Sequence, residues 1–202
     1  MNLVAVGLSH HTAPVEIREQ LAMGPTLVPD LLQRMRSDSV GAEGVLLSTC
    51  NRVELYAVAS RGQSAQDVAE WLVRTRGNRA RSLAGHVFAY QQQDALRHVF
   101  RVAASLDSMI VGEPQIVGQL RDAYKVATTA QVAGPVMRRV MDRALHVAKR
   151  VRTETDISRE AVSVGRAGVE LARQVLGSLG GRSALLIGAG GHGKLVATSL
   201  LG

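Results

Sequence analysis

The chain has 202 residues, enough for one substantial core or two modest ones, and its 46% hydrophobic and 20% charged content is that of an ordinary globular protein. No stretch approaches the roughly 20 apolar residues of a membrane helix, and the start MNLVAVGLSHHTAPVE lacks the basic and apolar blocks of a secretory signal, so a cytoplasmic protein without a membrane partner is expected. The single cysteine, Cys50, excludes an internal disulfide and a zinc site of several thiolates, while 24 Lys+Arg against 17 Asp+Glu (net +7) favours a polyanionic partner such as RNA.

Residues 3–8 (LVAVGL) read as a buried strand, and after the polar turn Ser9-His10-His11-Thr12 a helix is predicted from Pro14 to Ala22. A second helix, 26–36, carries Leu27, Leu31, Leu32 and Met35 on one face. Strands follow at 45–48 and 53–58, with Ser48-Thr49-Cys50-Asn51-Arg52 between them, then a helix at 65–74 and a short strand at 86–90. The order βααββαβ predicts an α+β domain with a mainly antiparallel sheet.

From Gln92 the pattern turns helical, with helices expected at 92–104, 114–130, 135–154 and 159–177; Pro114 and Pro135 suit first helical turns and Ser158 suits an N-cap. The third of these helices places Val136, Val140, Ala144, Val147 and Val151 on one stripe. Arg138, Arg139, Arg143, Lys149, Arg150 and Arg152 lie opposite, where a solvated face is weighed above direct RNA contact.

A glycine-rich linker at 176–181 precedes an apolar run, Ser183–Ile187, expected to be a strand of the parallel-sheet kind, and then Gly188-Ala189-Gly190-Gly191-His192-Gly193 and a helix over 194–201. Leaving a strand and opening a helix, the turn fits G-x-G-x-x-G. Gly188 permits the tight turn, Gly190 lets the backbone approach a pyrophosphate, and Gly193 allows close helix packing. The same residues read as G-x-x-x-x-G-K, but Leu195 stands where a phosphate loop needs Ser or Thr for magnesium. One βα unit cannot bury both faces of a parallel strand, so an incomplete Rossmann-type α/β unit is expected here.

Cys50 has a plain reading as a small buried hydrophobe. Its place on a short connection at a strand end, with Asn51 beside it and Arg52 near enough in sequence to favour thiolate, argues for a nucleophile. A thiolate that attacks an ester makes a thioester, which accepts hydride more readily than the ester does. Together with a nicotinamide site, this predicts reduction of an acyl group to an aldehyde with no metal.

Three strings, read jointly, carry a family resemblance: Gly7-Leu8-Ser9-His10-His11-Thr12-Ala13-Pro14 with Ile17-Arg18-Glu19, Ser48-Thr49-Cys50-Asn51-Arg52-Val53-Glu54, and Leu106-Asp107-Ser108-Met109-Ile110-Val111-Gly112-Glu113-Pro114-Gln115-Ile116. With the run His146–Thr155 and the glycine turn, the chain closely resembles glutamyl-tRNA reductase. The resemblance implies a catalytic domain at 1–157, a connecting helix and linker at 158–181, and the start of an NADP-binding Rossmann domain at 182–202. It also implies Cys50 as the nucleophile, and Thr49, Asn51, Arg52, Ser108, Glu113, Pro114, Gln115 and Gln119 as the glutamate-binding lining, with Arg52 meeting the substrate carboxylate. His98 matches a histidine important for activity, with proton transfer near the thioester as its role and a satisfied core histidine as the plainer one.

Gly188, Ala189, Gly190, Gly191, His192 and Gly193 would hold NADPH, although Gly191 and His192 depart from the bulkier pair common in the family. The implied partners are glutamyl-tRNA, a second copy in a homodimer, and glutamate-1-semialdehyde aminomutase. The product would be glutamate-1-semialdehyde, on the C5 route to 5-aminolevulinate and tetrapyrroles. The competing expectations are a noncatalytic tRNA-binding fragment and, more weakly, an unrelated Rossmann dehydrogenase.

Overall fold

In a computed structural model of the chain, residues 2–158, 164–188 and 191–201 are described. Strand β1 (Leu3–Ser9) is buried along its whole length, as an apolar run with no charged residue should be. It pairs antiparallel with β3 (Arg52–Ala59) on one side and β4 (Phe88–Gln91) on the other, and β2 (Gly41–Ser48) pairs antiparallel with the far edge of β3. The order β2-β3-β1-β4 is the split βαβ, ferredoxin-like arrangement. All of its pairings are antiparallel.

The first crossover carries α1 (Val15–Leu21) and α2 (Val28–Ser37), and the second carries α3 (Ala65–Arg74) and the short α4 (Ala80–Leu83). A capping box starts α3: the Ser64 hydroxyl accepts from Asp67 N at 3.2 Å, and the Asp67 carboxylate accepts from Ser64 N at 2.8 Å. The four-residue α4 and the 3₁₀ turns Gly77–Arg79 and Asp156–Ser158 are too short to leave a periodic signal. Strand β4 starts two residues later than expected because His86 is drawn away from the sheet, its Nδ1 lying 2.8 Å from the Thr12 carbonyl.

Gly7 is what allows β1 and β3 to meet beside the site. The register sets it opposite Glu54, and a Cβ there would lie 2.2 Å from the Val53 carbonyl oxygen. No larger residue fits that approach.

Helices α5 (Gln92–Ala103), α6 (Gln115–Thr129) and α7 (Pro135–Glu154) extend the same core, α5 resting on β1 and β4, and α6 and α7 on β2. On α7 the buried residues are Met137, Val140, Met141, Ala144 and Ala148, while Val136, Val147 and Val151 are half-buried. The expected stripe is therefore corrected by about one residue, since two methionines fill the helix seam that valines were assigned to. The basic residues opposite are exposed, in keeping with a solvated face.

Beyond α7, α8 (Val164–Leu176) and α9 (Gly191–Leu201) pack chiefly on each other. Residues 159–163, expected to begin α8, lie outside the described residues. The strand expected at 183–187 is corrected: the segment carries no strand or sheet pairing, and Leu185 and Ile187 are 88% and 92% exposed. A parallel strand needs neighbours for its ladder, and among the described residues none is offered. No described helix is long and apolar enough to cross a membrane.

Candidate active site

The turn between β2 and β3 is held from within by Thr49. Its hydroxyl oxygen accepts from Asn51 N and Arg52 N, both at 3.2 Å, and its N–H donates to the Arg52 carbonyl at 2.8 Å. A Ser or Thr hydroxyl can satisfy backbone donors in this way where no ladder partner exists. Two further segments hold the turn from outside: Arg18 Nε donates to the Cys50 carbonyl at 3.2 Å, and His10 N donates to the Asn51 carbonyl at 2.9 Å. Arg18 is itself anchored by Nη1 to the Ala13 carbonyl at 2.8 Å. The backbone at Cys50 is thus fixed by three parts of the chain while its side chain stays exposed. That combination suits a presented nucleophile better than a buried hydrophobe.

Beside the thiol lies a cavity of about 180 Å³. Thr49, Cys50, Asn51, Arg52, Ser108, Glu113, Gln115 and Gln119 line it, together with Met109 and Ile116. Pro114 is not in the wall; it is the N-cap of α6, and its ring sets the start of the helix that brings Gln115 and Gln119 to the cavity one turn apart. The opposite wall is a loop closed by Ser105, whose hydroxyl donates to the Glu113 carbonyl at 2.8 Å and whose carbonyl accepts from Gly112 N at 3.0 Å.

Beneath the cavity is a buried ionic network. Arg52, 1% exposed, donates through Nη1 to Glu54 Oε1 at 2.8 Å and to Asp107 Oδ2 at 3.0 Å, and through Nη2 to the Asp107 carbonyl. Glu54 is completely buried and also accepts from the Tyr56 hydroxyl at 2.6 Å and from His98 Nε2 at 2.8 Å. Burial alone would raise the Glu54 carboxyl, but the bond from His98 and the Arg52 charge outweigh it and hold the group below the usual carboxylate range. Burial, then the Glu54 charge, pushes the Tyr56 phenol well up. His10 is driven down by burial, with the neighbouring His11 and Arg52 charges adding to the effect.

Two expectations look different in this geometry. Arg52 turns inward, where two carboxylates already balance its charge, so the cation nearest the Cys50 backbone is Arg18. His98 does not line the cavity; it sits against Phe88 and Tyr90, with ring centroids 5.0 and 5.1 Å away, and reaches the cavity only through Glu54 and Arg52. Strand alternation is the cause, because Arg52, Glu54 and Tyr56 share one face of β3 and His98 of α5 meets Glu54 and Tyr56 there. Glu54, His98 and Asp107 hold three potential ligand atoms within 4.8 Å, but the Arg52 guanidinium already bonds two of those side chains. The cluster is an ion-pair network.

Glu54, Tyr56, Asp107 and Arg18 were not singled out from the sequence. The available signal was Arg52-x-Glu54-x-Tyr56, a polar row at strand spacing inside an otherwise apolar run. In the glycine turn, Gly188 has φ of +112°, and a Cβ at Gly193 would lie 2.5 Å from the Gly188 carbonyl oxygen, an approach that only glycine allows. Ala189 and Gly190 lie outside the described residues, and of Gly191 and His192 only the backbone, opening α9, is described.

Residues 6–155 match the family model for the N-terminal domain of glutamyl-tRNAGlu reductase. The glutamyl-tRNA reductase of Pelobacter propionicus is 47% identical over 203 residues, covering 100% of this chain and 46% of that protein. That of Geobacter sulfurreducens is 47% identical over 208 residues, with the same coverage of each. The solved structure of glutamyl-tRNA reductase from Methanopyrus kandleri superposes with a TM-score of 0.70 at 38% identity, covering 98% of this chain and 46% of that one. The chain spans about half the length of the curated relatives it matches.

Proposed function

Since the chain belongs to the glutamyl-tRNA reductase family through that family's N-terminal domain, we propose that Cys50 takes the glutamyl group of glutamyl-tRNA as a thioester. The observation that carries this is an exposed thiol on a backbone fixed by Thr49, Arg18 and His10, at the rim of a polar cavity of about 180 Å³. The Cys50 thiolate attacks the ester carbonyl carbon, the carbon–sulfur bond forms, and the bond to the ribose oxygen breaks as that oxygen leaves with a proton. Glu113 is suited to the substrate's ammonium. Asn51, Ser108, Gln115 and Gln119 supply neutral hydrogen bonds, and Pro114 positions the last two. Of the five donors of Arg52, three are engaged, so the others remain for the substrate carboxylate. His98 acts through Glu54, holding the charge balance of the floor.

The proposal extends to residues 1–157 as the catalytic domain, 158–181 as a connection, and 182–202 as the start of an NADP-binding Rossmann domain. The fit at Gly188 and Gly193 suits a dinucleotide, which Gly188–Gly193 would hold by backbone N–H groups. When bound, NADPH supplies the hydride that takes the thioester to an aldehyde, glutamate-1-semialdehyde, the precursor of 5-aminolevulinate and tetrapyrroles. A homodimer, glutamate-1-semialdehyde aminomutase as a partner and a cytoplasmic location belong to the same reading.

Labelled glutamyl-tRNA tests it. The protein should retain the label and Cys50→Ser should not. A serine variant that labels equally, or a wild-type protein that shifts tRNA in a gel without ever becoming labelled, would overturn the chemistry and leave a noncatalytic RNA binder.

A further inference from the structure

The sheet has two edges, and they are finished differently. At the β2 edge, Gly44 N donates to the Val132 carbonyl at 3.1 Å, so the connection between α6 and α7 closes it. At the β4 edge, among the described residues, no backbone group of Phe88–Gln91 bonds to anything outside the sheet. Proteins usually protect such an edge with a charge, a proline, a bulge or a covering segment. Phe88-Ala89-Tyr90-Gln91 has no charge and no proline, and it pairs with β1 in unbroken register. Apolar surface lies on both sides of this open edge. Phe88 and Tyr90 point to the α5 side, where both rings meet His98; they stack at 4.8 Å, and Tyr90 is 39% exposed. Val87 points to the α3 side, into a groove of about 500 Å³ with Ala69, Val73 and Ala84 in its walls and Arg74 and Arg81 at its rim.

We propose that β4 accepts an extended acidic segment of a partner protein as a further strand of the sheet. Alternate apolar side chains of that segment enter the Val87 groove on one face and cover Tyr90 on the other, and its carboxylates meet Arg74 and Arg81. An added strand runs about 4.8 Å from β4 and continues the ladder through main-chain bonds, while its successive side chains fall to opposite faces. Both faces here offer apolar contact, and the groove volume lies within the roughly 300–1,000 Å³ of ligand pockets. Charge selects the partner. Glu70 and Asp94 are each paired with an arginine of the same helix, Arg74 at 3.7 Å and Arg97 at 3.5 Å, while Asp67 is held in its capping box. Arg81 is exposed and has no ion pair among the described residues, so the rim of the groove is left cationic. A second copy of the chain would set its own arginines against these. An RNA strand, though drawn to them, has no row of N–H and C=O groups with which to extend the ladder.

Amide shifts of the ¹⁵N-labelled 202-residue chain test this with three probes: an acetylated peptide alternating valine and glutamate, the same peptide with lysine for glutamate, and single-stranded RNA. The glutamate peptide should move the amides of Val73, Arg81, Val87 and Tyr90, leave Gly44 at the β2 edge unmoved, and slow hydrogen exchange along Phe88–Gln91. The lysine peptide should do none of this. Arg81→Glu should weaken binding of the glutamate peptide roughly fivefold and admit the lysine peptide, with the rate of Cys50 alkylation by iodoacetamide unchanged. Absence of shifts up to millimolar glutamate peptide overturns the proposal, as does equal binding of the two peptides. RNA moving these amides in place of the glutamate peptide would make the patch a phosphate-binding surface. Dimerisation that protects Phe88–Gln91 without any peptide would make it an interface between copies. Either of these results also overturns the acidic strand.

Discussion

Glu54→Gln should be among the most damaging conservative changes in the molecule. The substitution keeps the shape of the side chain but removes the charge that pairs with Arg52 at 2.8 Å, in a place where Glu54 is 0% and Arg52 1% exposed. Breaking a buried pair by removing one partner costs about 3–5 kcal/mol, because the remaining charge is left without full compensation. Asp107 keeps its bond to Arg52 at 3.0 Å, which argues for the lower half of that range. A loss of about 3–4 kcal/mol is a large share of the 5–15 kcal/mol that holds a typical domain together, and corresponds to a Tm lower by roughly 6–16 °C. Urea unfolding followed through the one tryptophan, buried Trp71, gives the number directly. Replacing both partners, Arg52→Met with Glu54→Gln, should be less harmful than the sum of the single changes, because no cation then remains buried. A loss below about 1 kcal/mol for Glu54→Gln, or strict additivity in the double variant, would refute this account of the network.

Other outcomes follow from the same structure. Because the Glu54 carboxyl titrates below its ordinary value of 4.5, its contribution to stability is complete above that pH and disappears as pH falls through the depressed value. Urea midpoints measured down the acid limb should therefore fall less steeply for Glu54→Gln than for the wild type, and identical limbs would contradict the assignment. Gly7→Ala places a methyl against the Val53 carbonyl and should destabilise by about 1–3 kcal/mol or more in urea titrations, whereas Gly118→Ala, on α6 with nothing within 4 Å, should stabilise by roughly 0.4–1 kcal/mol. Thr49→Val removes the acceptor for Asn51 N and Arg52 N and should slow Cys50 acylation with little loss of RNA affinity in a gel shift, while Thr49→Ser should retain the rate.

The sheet was legible because each strand carries an apolar face, and α3 falls over the expected 65–74, its start fixed by the capping box of Ser64 and Asp67. The reactive turn could be located because Cys50 is the single thiol and sits between two apolar runs. The network beneath it was harder to see, since Arg52, Glu54 and Tyr56 look like solvent-facing residues until His98 of α5 and Asp107 of the loop after it are known to meet them. Long-range pairing also hid Asp107, which lies 55 residues from Arg52 in sequence and meets it only through the loop after α5. The segment at 183–187 has the composition of a parallel strand, but composition supplies no neighbour to pair with.

Mass analysis of peptides from protein exposed to glutamyl-tRNA and quenched in acid tests the central chemistry most directly. The peptide containing Cys50 should carry one glutamyl group that hydroxylamine removes, and no other peptide should. Glutamate that stays on the RNA while Cys50 remains free, in a sample where the RNA is demonstrably bound, would contradict a thioester at this turn.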